Sequence, residues 1–77
     1  MAISCKAIGE FQAEAIVYEL KAVGFDDTAI SIQLTDASTI TIIVHPQNPQ
    51  EAHRAEEIFR QTEGEDIRVL EEAETQK

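Results

Sequence analysis

Residues 30–45 read ISIQLTDASTITIIVH, two stretches of alternating character joined by a polar tetrapeptide. Ile30, Ile32 and Leu34 alternate with Ser31 and Gln33, and Ile40, Ile42 and Val44 alternate with Thr39, Thr41 and Ile43. A period of two sends every second side chain to the same face, so both stretches are expected as strands with one face turned to a core. The β-branched run at 39–45 is the most strand-prone part of the chain. Thr35-Asp36-Ala37-Ser38 is turn chemistry and makes the pair a hairpin. On the face carried by Thr39 and Thr41, Ile43 stands out as the one apolar residue.

Outward from the hairpin the period changes. Upstream, from Glu10, the residues Ala13, Ile16, Val17, Leu20 and Val23 form one helical stripe, with Glu10, Glu14, Glu19 and Lys21 outside it. Gly24 is placed to end that helix as a left-handed cap, and Phe25 to fold back as the apolar residue after it. Ahead of the helix, Ile3, Cys5 and Ala7 alternate with Ser4 and Lys6, the pattern of a half-buried strand ending at Gly9. Downstream, Pro46 closes the hairpin, and Asn48-Pro49-Gln50-Glu51 reads as an N-cap, a first-turn proline and a capping-box acid. The second helical stripe is Ala52, Ala55, Ile58 and Phe59, with Gly64 expected to end the helix. A last strand at 66–71 centres on Ile67 and Val69, and residues 72–77 are a charged end expected to fray.

The order is thus strand, helix, strand, strand, helix, strand. Each helix is followed by a Gly, acidic residues and an Ile-led strand, Gly24-Phe-Asp-Asp-Thr-Ala-Ile30 and Gly64-Glu-Asp-Ile67, as though one unit were written twice. Right-handed crossovers interleave two such units into an α+β, ferredoxin-like split βαβ sandwich. Its four-stranded antiparallel sheet has the order 4-1-3-2, with both helices on one face. The expected core is Ile3, Cys5, Ile16, Leu20, Ile30, Ile32, Ile40, Ile42, Val44, Ile58 and Phe59, closed by Val69 or its neighbours. Such a sheet leaves its second face uncovered, and Thr39, Thr41 and Ile43 on that face are the candidate interaction surface.

Composition narrows the functional classes. Seventy-seven residues suffice for one core, so a single domain over 1–71 with a tail at 72–77 is expected. With 43% hydrophobic and 27% charged residues the chain is that of an ordinary globular protein. Six basic against 15 acidic residues give a net charge of -9, which repels phosphate backbones and anionic lipid, so neither nucleic acid nor membrane is expected as a partner. Cys5 is the sole cysteine, which excludes an intrachain disulfide and suits a reducing cytoplasm. The first residues lack the apolar core of an export signal.

No constellation for chemistry stands out. Cys5 as a nucleophile would need His45 as its base, yet Cys5 shares the inward parity of Ile3 and reads as a small buried hydrophobe. His45 and His53, with Glu51 or Glu57, have the composition of a metal site without a ligand-spacing signature. The acids after the helices, Asp26-Asp27 and Glu63, Glu65 and Asp66, read as turn formers. No phosphate-cradling glycine motif or triad is present, and Phe11, Tyr18, Phe25 and Phe59 lie on helices or at a cap, not on strands as RNA stacking would require. No catalytic residue, cofactor or metal is therefore expected.

Residues 14–32, EAIVYELKAVGFDDTAISI, together with the segment PQEAHRAEEIFR at 49–60 and Gly64-Glu-Asp-Ile67, resemble the small domain of bacterial general stress proteins, the heat-induced stress protein family. The resemblance implies a ferredoxin-like module of undefined biochemical role, and it brings no catalytic residue. Longer members often carry a Gly-rich insertion between the second and third strands, where this chain has only Asp36-Ala37-Ser38. The expected function is a small non-enzymatic interaction module that pairs with another protein or with itself as a homodimer. The alternative is an ACT-like regulatory domain that binds a small ligand.

Overall fold

The computed structural model describes residues 1–34, 36 and 38–70. Strand β1 (Ala2–Ile8) leads to helix α1 (Glu10–Ala22), a 3₁₀ turn (Asp27–Ala29), strands β2 (Ile30–Leu34) and β3 (Thr39–Val44), helix α2 (Pro49–Gln61) and strand β4 (Glu65–Leu70). The strands form one antiparallel sheet in the order β2-β3-β1-β4, which is the expected order read from the opposite edge. The fold is therefore α+β with an open sheet and two helices, as the patterning predicts. The expected tail at 72–77 lies outside the described residues.

Both helices begin by the same device. At α2, the Asn48 side chain accepts the Glu51 N–H at 2.9 Å, and the Glu51 carboxylate accepts the Gln47 N–H at 2.8 Å. At α1 the N-cap is Gly9, which has no side chain to offer, but Gln12 stands where Glu51 does and accepts the Ile8 N–H at 2.8 Å. Each third-position side chain thus satisfies an amide four residues back, a variant of the capping box. The amide end of Gln12 also donates to the carbonyls of Thr62 and Glu63 at 3.1 and 2.8 Å, tying the start of α1 to the end of α2.

The helix ends differ from the expected symmetry. After α1, the N–H groups of Gly24 and Phe25 bond the carbonyls of Lys21 and Leu20, Gly24 takes φ of 116°, and Phe25 folds into the core, as the sequence predicts. After α2 the same pair of bonds forms from Glu63 to Arg60 and from Gly64 to Phe59. Here the left-handed residue is Glu63, at φ of 63°, and not Gly64. Gly64 is demanded by packing instead, because a Cβ there would lie 3.0 Å from Cys5 Sγ and 3.1 Å from the Phe59 carbonyl oxygen.

The helices pack over the centre of the sheet, and Ile3, Cys5, Ile16, Leu20, Ile42, Val44 and Phe59 are fully buried in a single cluster. Of the residues expected in the core, Ile32 is 57% exposed, and at the β4 edge, expected to be closed by Val69 or its neighbours, Val69 is 49% exposed while Ile67 packs on the cluster. Ile32 and Val69 belong to edge strands, β2 and β4, where each side chain loses the neighbour that a further strand would provide. Ile30 and Ile67 are partly buried against the cluster from the same two strands.

The α2 terminus yields opposite outcomes at adjacent positions. Gly64→Ala forces Cβ against a sulfur and a carbonyl oxygen and should lower stability by about 1–3 kcal/mol. Glu63→Gly relieves a left-handed side-chain-bearing residue and should raise it by about 1 kcal/mol. Urea unfolding followed by circular dichroism reads both.

Candidate functional site

The face turned away from the helices is built by strand register. Ile43 lies opposite Ser4 on β1 and Ser31 on β2, Thr41 opposite Lys6 and Gln33, and Thr39 opposite Ile8. On the other flank of β1, Ser4 faces Arg68 and Ala2 faces Leu70. Ala2 and Ser4 are only 1% and 7% exposed although they point away from the helices. Both are short side chains on an inner strand, flanked by taller ones, and Ser4 forms the floor of a groove of about 300 Å³. Thr41 and Ile43 line this groove, together with Leu70 at an apolar end and Lys6, Asp66 and Arg68 at a charged end. Thr39 sits beyond its lining.

The charged end depends on a β-bulge. From Ser4 to Lys6, β1 advances two residues while β4 goes from Arg68 back to Glu65, one residue more. Asp66 absorbs the surplus at φ of 53°, a conformation Asp tolerates better than most residues. Its carboxylate accepts Arg68 Nε–H at 2.9 Å and lies 3.3 Å from Lys6 Nζ. Hydrogen bonding from Arg68, then Lys6, holds the Asp66 carboxyl below the usual range. Parity along β3 is enough to locate Thr41 and Ile43. Alternation about Ile67 and Val69 likewise sets Asp66, Arg68 and Leu70 on this face; what has no signature in the residues is the bulge that brings Asp66 between Lys6 and Arg68.

The remaining sequence candidates are not brought together. Cys5 is fully buried and opposite Ile42, whereas His45 follows Val44, which is opposite Ile3. Desolvation pushes the Cys5 thiol up to about 12, so it keeps its proton at neutral pH. His53 is exposed on α2 with Glu57 at 3.3 Å, and His45 donates its backbone N–H to the Ala29 carbonyl at 2.8 Å. Among the described residues no three His, Cys, Asp or Glu side chains converge as a metal site would require. The acids after α1 serve the chain itself: Asp26 accepts the N–H groups of Thr28 and Ala29 and the Thr28 hydroxyl, and these bonds lower its carboxyl pKa. Asp36 holds the N–H groups of Ser38 and Thr39 in the hairpin turn.

A second hollow runs between α1 and β2. It has a volume of about 330 Å³ and is lined by Ala13, Glu14, Val17, Tyr18, Lys21 and Ile32. A larger hollow of about 460 Å³ is bounded only by side chains of α2, Pro49 to Glu57, and has no second wall. No helix of the described residues is long and apolar enough to cross a membrane. No family model, curated protein or solved structure matches the chain.

The buried thiol makes a measurable prediction. Cys5 should resist alkylation by iodoacetamide at pH 8 in the native protein and react fully in urea. Because its pKa is raised on folding from 9.0 to about 12, stability should be full below pH 9 and decline as the pH rises through that interval. Alkaline melts of wild type and Cys5→Ala compare the two.

Proposed function

We propose that the chain is a single ferredoxin-like domain acting as a non-enzymatic interaction module, whose open sheet face receives a protein partner, a second copy included. The observation that carries this is the groove floored by Ser4 and lined by Thr41, Ile43 and Leu70. A concave floor flanked by apolar side chains can take an inserted side chain, and Lys6, Asp66 and Arg68 supply fixed polar contacts beside it. Thr39, Thr41 and Ile43 are the β3 residues of this surface, with Ile43 as its anchor. The resemblance to general stress proteins adds a biological setting to the proposal and no residue.

Ile43→Lys tests it. The side chain is partly exposed, so the circular dichroism spectrum and melt should be preserved. In sedimentation velocity, wild type should associate with rising concentration and the variant should associate about a hundredfold more weakly, the effect of a charge placed at an interface anchor. Identical profiles would remove self-pairing through this face.

The ACT-like alternative places a small ligand in the α1–β2 hollow, whose lining is largely apolar. A thermal-shift panel of amino acids and nucleotides should then contain a compound that raises the melting temperature, as binding to the native state alone requires. A shift that persists in Tyr18→Glu would place the ligand elsewhere.

A further inference from the structure

The two edges of the sheet are unlike. β4 is bulged at Asp66 and carries Glu65, Asp66 and Arg68, devices that discourage another strand from pairing. β2 is Ile30-Ser31-Ile32-Gln33-Leu34, unbulged, with neither charge nor proline. Its outward backbone groups can be assigned. The His45 N–H bonds the Ala29 carbonyl, and in the observed register those residues are opposite each other. Bonded and non-bonded pairs alternate along an antiparallel ladder, so Ser31 and Gln33 bond to β3. The N–H and C=O groups of Ile32 and Leu34 and the C=O of Ile30 therefore point to the free edge, while the Ile30 N–H is taken by the Asp27 carbonyl in the 3₁₀ turn.

The side chains of those three residues lie on the helix side of the sheet, where Ile32 is 57% and Leu34 73% exposed. Above them α1 presents Tyr18, 71% exposed, and the half-buried Val17. Backbone donors and acceptors, apolar side chains and an apolar helix flank thus meet along one line. An edge of this kind is normally covered.

We infer that a second copy of this chain docks along β2, antiparallel and about a two-fold axis through Ile32, joining two sheets into one of eight strands. The register is self-complementary. Ile32 exchanges both backbone bonds with the partner's Ile32, and the Ile30 carbonyl accepts the N–H of the partner's Leu34, the Ile30 N–H being held by Asp27. Ile32 shares its hollow with Val17 and Tyr18, so the same axis passes beside the middle of α1 and brings the two α1 helices antiparallel. Glu14 and Lys21, the charged residues of that hollow, stand symmetrically on either side of Val17 and Tyr18. The axis therefore sets each Glu14 toward the partner's Lys21, which in the single chain pairs with Asp27 at 2.7 Å. A chain of net charge -9 meets its own copy here with opposite charges matched and apolar residues between them. This surface is separate from the open face, which it leaves uncovered and doubles in width.

Sedimentation equilibrium of the full chain and three sets of variants tests the inference. Wild type should be dimeric, and Ile32→Lys should weaken the dimer by about a hundredfold with an unchanged circular dichroism spectrum, since the side chain is already mostly exposed. Glu14→Lys and Lys21→Glu should each weaken it about tenfold and the double swap should restore it, which no loss of folding can mimic. Ile32→Cys should form a disulfide-linked dimer on mild oxidation, with Cys5 buried and silent. A monomeric wild type, or a dimer indifferent to Ile32→Lys, would overturn the edge. Sensitivity to Ile43→Lys alone would assign self-association to the open face and also overturn it. Sensitivity to Ile32→Lys alone would support the edge while removing self-pairing through the face.

Discussion

The contact on which the rest of the molecule depends is that of Gly64 against Cys5. At the end of α2 the chain must turn back under its own helix and start β4 beside β1, and the space available there is set by a cysteine side chain and the Phe59 carbonyl. Only a residue without Cβ fits without displacing one of them. The left-handed step needed to close the helix then falls one residue earlier, on Glu63, and Gln12 reaches across from α1 to hold the carbonyls of Thr62 and Glu63. β4 is thereby fixed at its first residue, and its extra residue is taken up by the bulge at Asp66. The bulge in turn places a carboxylate between Lys6 and Arg68 on the open face. A packing constraint in the core thus arranges charges on the opposite side of the sheet.

Small side chains along β1 make this economy of space work on both faces. Cys5 and Ala7 let two helices pack over an inner strand, and Ser4 hollows the other face. A larger residue at Cys5 would push α2 away from the sheet, and one at Ser4 would fill the groove. The two faces of one strand therefore carry separate roles, stability on the first and the proposed recognition on the second.

Elements whose signals are local were legible in the residues. The hairpin strands could be bounded from alternation and turn chemistry, α2 from Asn48-Pro49 and Glu51, and the end of α1 from Gly24-Phe25, because each depends on neighbours in the chain. What escaped depends on residues far apart. Gly64 reads as another cap, when its partner is Cys5. Gln12 bonds carbonyls 50 and 51 positions away and belongs to no periodic pattern. Ile32 has the parity of a core residue, and although the expected strand order already sets it on an edge, parity does not tell how little the helices cover that edge. Alternation could place Thr41, Ile43 and Leu70 on the open face, but not the bulge that sets Asp66 between Lys6 and Arg68.

The contrast between the sheet's edges bears on how large an assembly this chain can build. A sheet with two receptive edges grows without limit, since each added copy presents a new edge like the one just covered. Here the receptive edge is β2, and pairing about a two-fold axis consumes it on both copies at once. What remains outermost on either side is β4, bent by its bulge and carrying Glu65, Asp66 and Arg68. Addition through the edges therefore stops at two. Asp66 then has two consequences: its carboxylate orders the charged end of the groove, and its conformation closes the sheet to further strands. Association beyond a dimer would have to use the open face, where Ile43 and Leu70 line the groove.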